Sequence, residues 1–159
     1  MACYGVLGPR PRGPYPARLL DTPLAKLRLT AWLCYRFGLR GLLADGYNDW
    51  RTGGGVDPFT ESCGGAWPAI SPGELFFVYP GPEGPLDSIR WEVFAEGLAD
   101  RSILGLQSVQ PGGRLLAAVH SFHHFPKNAG WLRGAKAQLI STDPTPVSTR
   151  ISTRFAALS

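Results

Sequence analysis

The chain has 159 residues, a formal net charge of +4, 44% hydrophobic and 18% charged residues, which admits one globular domain and excludes an acidic disordered chain or a coiled coil. Its 20 Gly and 15 Pro demand long irregular loops without a collagen period, and the longest apolar runs, Leu75–Tyr79 and Leu115–Val119, fall far short of the roughly 20 residues of a membrane span. Cys3, Cys34 and Cys63 have no C-x-x-C spacing, which excludes a disulfide scaffold or zinc ribbon and reads as free thiols in a reducing compartment.

The N-terminal stretch reaches Pro9 and Arg10 too soon for a signal-peptide core. Residues 2–7 read as the end of a strand, and the prolines and glycines of 8–18 exclude regular structure there. A helix is expected from Asp21, a candidate N-cap, with Pro23 in its first turn. Leu24, Leu27, Ala31 and Cys34 or Tyr35 recur at helical spacing, and Gly38 is placed to end the helix. Leu29, Trp32 and Leu33 widen the apolar stripe, as for a helix packed on a large sheet.

Residues 39–45 and 74–79 read as short strands buried on both faces, as in a parallel sheet. Between them, 46–73 is a long Gly/Pro-rich loop whose Tyr47, Trp50, Phe59 and Trp67 favour function over disorder. A second helix is expected from a cap at Asp87, with Leu86 and Trp91 as a hydrophobic staple. Ile89, Val93, Phe94 and Leu98 carry it to about Leu106. Arg114–Phe125 and Asn128–Ile140 read as two further amphipathic helices, and 141–159 as a poorly ordered Ser/Thr/Pro-rich tail. The alternation of strand and helix means parallel βαβ units.

Two stretches carry a resemblance. One runs from Asp21-Thr22-Pro23-Leu24 through Arg28, Ala31-Trp32, Tyr35, Gly38-Leu39 and Gly41-Leu42-Leu43 to Gly46-Tyr47-Asn48-Asp49-Trp50. The other is Phe77-Val78-Tyr79-Pro80-Gly81-Pro82-Glu83-Gly84-Pro85-Leu86-Asp87-Ser88-Ile89-Arg90, continuing to Glu96-Gly97-Leu98-Ala99-Asp100. Together they resemble the C-terminal part of the catalytic domain of glycoside hydrolase family 123, over roughly residues 2–140. The resemblance implies a (β/α)8 barrel that hydrolyses β-linked N-acetylgalactosamine, with the substrate's acetamido group as nucleophile and an adjacent Asp-Glu pair as orienter and acid/base. None of the 12 carboxylates in this sequence is adjacent to another. A closed barrel needs roughly 200–250 residues, so the expected fold is α/β, a partial (β/α)8 TIM-type barrel of the last two to three βα units with C-terminal helices, spanning 1–140.

Tyr47, Asn48, Asp49 and Trp50 follow a buried strand, where barrel sites lie. A flat aromatic face suits the C–H side of a sugar ring, and amide or carboxylate groups suit its hydroxyls. The alternative is a loop packed by its own aromatics. Trp67 and Tyr79 are further candidates for lining such a site. Asp45 and Asp49 are weighed as an ordinary glycosidase pair, but nothing in the sequence fixes their separation, and no catalytic residue is assigned. His120 and His124, with His123 nearby, share a helix face in this reading but lack the Glu and third ligand of a zinc motif, so no metal or other cofactor is expected. Arg28 and Arg90 lie within amphipathic helices and read as ion-pair or carbonyl partners.

Basic residues dominate 1–40 and 101–159, while 41–100 carries two Arg against ten acids. The aromatic loops therefore lie in the acidic part, and nucleic acid is not an expected partner. The expected partner is a carbohydrate, an N-acetylhexosamine-containing glycan bound by an intact parent domain, and the isolated chain is expected to self-associate through uncovered strands. The rival reading is a non-catalytic glycan- or protein-binding module.

Overall fold

A computed structural model describes residues 4–7, 15–44, 46–50, 58, 73 and 76–141. Strand β1 (Tyr4–Leu7) lies parallel to β2 (Gly41–Ala44), with Tyr4 opposite Gly41 and Leu7 opposite Ala44. Helix α1 (Leu24–Arg36) connects them, so the first third of the chain is a βαβ unit, as the alternation required. Helix α2 (Ile89–Leu106), a 3-10 turn at Arg114–Leu116 and helix α3 (Ala129–Ser141) follow. None of the helices described is long and apolar enough to cross a membrane. The tail beyond Ser141 lies outside the described residues.

Helix α1 begins two residues later than its expected cap. Pro23 occupies the N-cap position with no side-chain acceptor, and its carbonyl accepts from the Lys26 and Leu27 amides at 2.9 and 3.4 Å. The helix ends as expected at Gly38, with φ +66°. The Leu39 amide reaches back to the Cys34 carbonyl at 2.8 Å and the Gly38 amide to Tyr35 at 3.2 Å, the paired bonds of a Schellman ending. Helix α2 is capped by Ser88, one residue past Asp87, its hydroxyl accepting from the Trp91 amide at 3.2 Å. That shift removes the Leu86–Trp91 staple, since Asp87 and not Leu86 now precedes the cap.

Four expectations are corrected here. Of the segment 74–79, residues 76–79 are described, and they form no strand. Phe76 makes a single antiparallel bridge to Asn48, and Tyr79 another to Leu86. Their backbone groups are already engaged. The Phe76 and Phe77 carbonyls accept from Arg90 and Ser88 side chains, the Val78 carbonyl from the Trp50 indole, and the Phe77 and Val78 amides donate to Tyr47. A ladder needs those same groups free. Burial is nonetheless as expected, with Phe76, Phe77 and Val78 all inside.

The segment Arg114–Phe125 forms one 3-10 turn and then loops. Leu116, Val119 and Phe125 are all buried, and the chain folds back to bury them through bonds from the His120 and Ser121 amides to the His124 carbonyl. The breadth of α1's apolar surface also has another cause. Leu29, Trp32 and Leu33 join Leu104 of α2, Leu116, Val119 and Phe125 of the loops, and Leu132, Ala135 and Leu139 of α3 in one core. Helices and loops, more than a wide sheet, surround α1. Leu43 of β2, expected to be buried, is 61% exposed.

Asp100 ties the helices together. Its fully buried carboxylate accepts a bidentate pair from Arg28, Nε at 2.6 Å and Nη2 at 3.0 Å, plus the Trp32 indole at 3.1 Å and the Lys136 ammonium at 3.2 Å. Arg28 also pairs with Glu96. Burial alone would push the Asp100 carboxyl up, but the hydrogen bonds from Arg28, Trp32 and Lys136 and the Arg28 charge hold it below its ordinary value. Helices α1 and α2 approach so closely here that a Cβ on Gly97 would lie 2.7 Å from the Arg28 carbonyl oxygen.

Two outcomes are expected. Asp100→Asn lowers the unfolding free energy by about 3 kcal/mol, the cost of breaking a buried pair. Because the folded carboxyl is depressed, its contribution is complete above the unfolded value near about pH 4 and is lost as pH falls through the folded value. Urea unfolding across acid pH therefore shows a decline in wild type that the Asn variant largely lacks. Gly97→Ala, although alanine is the better helix former by about 1 kcal/mol, lowers stability by roughly 1–3 kcal/mol through overpacking. A raised thermal midpoint for Gly97→Ala would contradict this close approach.

Candidate functional site

Three residues past β2 the chain turns into Tyr47–Trp50, and this segment meets residues 76–79 directly. The Tyr47 carbonyl accepts from the Phe77 and Val78 amides at 2.7 and 3.3 Å. The Trp50 indole donates to the Val78 carbonyl at 2.9 Å, and its amide to the Asn48 carbonyl at 3.0 Å. Tyr79 follows at once, its amide and carbonyl exchanging bonds with Leu86 at 2.8 and 2.7 Å across the Pro-Gly turn. Tyr47, Asn48, Trp50 and Tyr79 thus gather beyond the C-terminal end of β2. Trp67 and Asp45 lie outside the described residues, and Asp49 is half-buried.

The cluster is held from below by arginines. Arg90, 4% exposed, donates through Nη1 to the Arg18 and Gly73 carbonyls at 2.6 and 2.9 Å and through Nη2 to Phe76 at 2.8 Å. Gly73, at φ +79°, makes room for it, since a Cβ there would lie 2.8 Å from Nη1. Desolvation pushes the Arg90 guanidinium down from its ordinary value, opposed by the charge and hydrogen bond of Tyr79; the group stays charged. Arg18, also buried, donates to the Gly46 carbonyl and stands 5.3 Å from the Phe77 ring, a cation–π distance. The first turn after β2 is therefore tied to both ends of the 73–77 segment.

Above this base the aromatic faces differ in access. Tyr47 is 42% exposed and stands edge-on to Trp91 at 5.1 Å, while Phe77 packs against Trp91 and Phe94. Tyr79 meets Phe76 edge-on at 5.3 Å. Tyr47 and Asn48 face solvent, and Trp50 and Tyr79 are half-buried. That combination offers an aromatic surface, an amide and a nearby carboxylate, the groups with which a protein can hold a polyhydroxylated ring.

Arg28 and Arg90 have the scaffold roles expected of them. Arg18 and Trp91 were not legible as part of this cluster. Arg18 stands in a Pro-rich stretch without periodicity, and Trp91 reads from the sequence as the staple partner of Leu86. The His120–His124 pair is on a turn and not on a helix, with ring centroids 4.8 Å apart. Among the described residues no group of three or more His, Cys, Asp or Glu is arranged to hold a metal. Cys34 is free and buried, and burial pushes its thiol up.

Arg90→Lys is expected to destabilise the chain by about 3 kcal/mol, because one ammonium cannot serve three carbonyls in the geometry of a guanidinium fork. The same variant releases residues 76–79, so Trp50 becomes accessible to a fluorescence quencher. Unchanged quenching would show that Trp50 is placed independently of Arg90.

The chain has no match among curated proteins. The family model of the glycoside hydrolase 123 catalytic domain matches residues 3–107, about two thirds of the chain. That span contains both segments of the aromatic cluster, the two arginines beneath it and the Arg28–Asp100 pair. On that match, the chain belongs to the glycoside hydrolase 123 catalytic-domain family.

Proposed function

We propose that this chain carries part of the sugar-binding face of a glycoside hydrolase, with Tyr47, Asn48, Asp49, Trp50, Trp67 and Tyr79 lining the substrate side, and that by itself it hydrolyses nothing. The observation that carries the reading is the union of 47–50 with 76–79, which leaves Tyr47 and Asn48 facing solvent beyond the end of β2. Sites of βα folds lie at that end of the strands. Family membership supplies the substrate class, a glycan, and the resemblance narrows it to β-linked N-acetylgalactosamine.

Inactivity follows from proton transfer. Cleavage of a glycosidic bond needs an acid within hydrogen-bond reach of the leaving oxygen. The adjacent Asp-Glu pair that the resemblance implies has no counterpart among the 12 carboxylates here. Asp100, Glu96 and Asp49 do not replace it. The first is engaged by Arg28, Trp32 and Lys136, the second pairs with Arg28, and no carboxylate is adjacent to Asp49 in sequence. On this reading residues 1–140 correspond to the last βα units of a barrel. The βαβ unit and its two-stranded ladder support that assignment, and exposed Leu43 on β2 supports self-association when the rest of the barrel wall is lacking.

The purified chain is expected to give no turnover of a chromogenic N-acetyl-β-galactosaminide at any pH, and to show a light-scattering mass above that of a monomer. Turnover abolished by Asp45→Asn or Asp49→Asn would replace this reading with a two-carboxylate mechanism. A sharp monomer peak with a cooperative melt would overturn the partial-barrel assignment.

A further inference from the structure

Beyond the family-matched residues, the 3-10 turn and α3 enclose an open groove of about 600 Å³, within the range of small-ligand sites. Trp131 is its aromatic lining residue, and Arg114 and Gln138 are its polar ones. Leu115, Ala118 and Ala135 supply small apolar surface. The remaining lining residue is Gly134, and a Cβ built there meets nothing within 4 Å. The groove therefore has an open stretch of helix beside its aromatic residue.

Trp131 is held in place from behind. Its ring stands edge-on to Trp32 at 6.0 Å, and the Trp32 indole is bonded to the buried Asp100 carboxylate. At the start of α3 the Trp131 amide donates to the Asn128 side chain at 2.7 Å. A half-buried indole held in this way loses little freedom on binding, which favours ring-shaped ligands. Such a surface stacks on the C–H face of a pyranose while Arg114 and Gln138 meet its hydroxyl or carbonyl oxygens. The lining contains no carboxylate, so the groove has no acid for bond cleavage.

We propose that this groove is a second, non-catalytic carbohydrate subsite, which takes one pyranose ring against Trp131. It lies on elements outside residues 3–107, and goes beyond the site built on Tyr47 and Trp50.

The test follows the tryptophan indole N–H signals of the full chain by NMR during titration with methyl 2-acetamido-2-deoxy-β-D-galactopyranoside. The Trp131 signal is expected to shift progressively with sugar. Gly134→Leu fills the groove from a position with open space around it, and it is expected to weaken that response at least roughly tenfold. Its thermal midpoint is expected to equal or exceed wild type, because leucine is the better helix residue, so lost binding is not lost folding. Trp50→Phe leaves the Trp131 response intact, whereas it removes any response of the first site. A Trp131 signal that never moves, or one that moves equally in Gly134→Leu, overturns the proposal. Neither result bears on Tyr47 and Trp50, whose site is read from the Trp50 signal.

Discussion

A single buried carboxylate organises the helical part of this protein. Asp100 on α2 receives Arg28 and Trp32 from α1 and Lys136 from α3, so three helices far apart in sequence meet at one pair of oxygens. A buried charge is costly unless its lone pairs are filled; here four donors fill them. The approach that this requires is permitted by Gly97, whose missing side chain leaves room for the α1 backbone. The apolar core lies beside this contact and includes Trp32 itself, so polar pairing and packing reinforce the same helix arrangement.

Arg90 plays the equivalent part at the other end of α2. Three carbonyls from two separate stretches of chain, Arg18 in one and Gly73 and Phe76 in the other, converge on its guanidinium. The consequence is visible in residues 76–79, of which Phe76, Phe77 and Val78 are as buried as a central strand but do not pair as one. Side chains of Arg90, Ser88 and Trp50 have taken the backbone acceptors that a neighbouring strand would use. The conformation is set by side-chain donors, which hold the aromatic residues at the surface end of the segment.

These two contacts also change the meaning of the family-like stretches. Arg28, Glu96, Gly97 and Asp100 belong to the helix interface, and Ser88 and Arg90 to the support of the 76–79 segment. Their chemistry is structural. Among the described residues, Tyr47 and Asn48 face solvent beyond β2, and Trp131 lines the groove beside α3. Trp32 connects the architecture to that groove, since one face of the Asp100 network is the backing of Trp131.

Local features were legible wherever the physics is local. The helical period of α1, its glycine ending at Gly38, the span of α2 and the start of α3 after Asn128 all follow from spacing and backbone preference. So do the scaffold roles of Arg28 and Arg90, because an arginine on the buried side of a helix must find acceptors. Cap positions shifted by one or two residues, since Ser88 and Pro23 compete with neighbouring Asp87 and Asp21 and the sequence alone does not rank them. Only the tertiary structure decided that 76–79 would not join a ladder, that Arg114–Phe125 would loop back, and that helices would encircle α1. The core that Leu116, Val119 and Phe125 join, and the Tyr47 and Trp50 partners of 76–79, lie far away along the chain. Apolar pattern reports that a residue is buried, but the partner of each backbone N–H and C=O is settled only when the whole chain has closed.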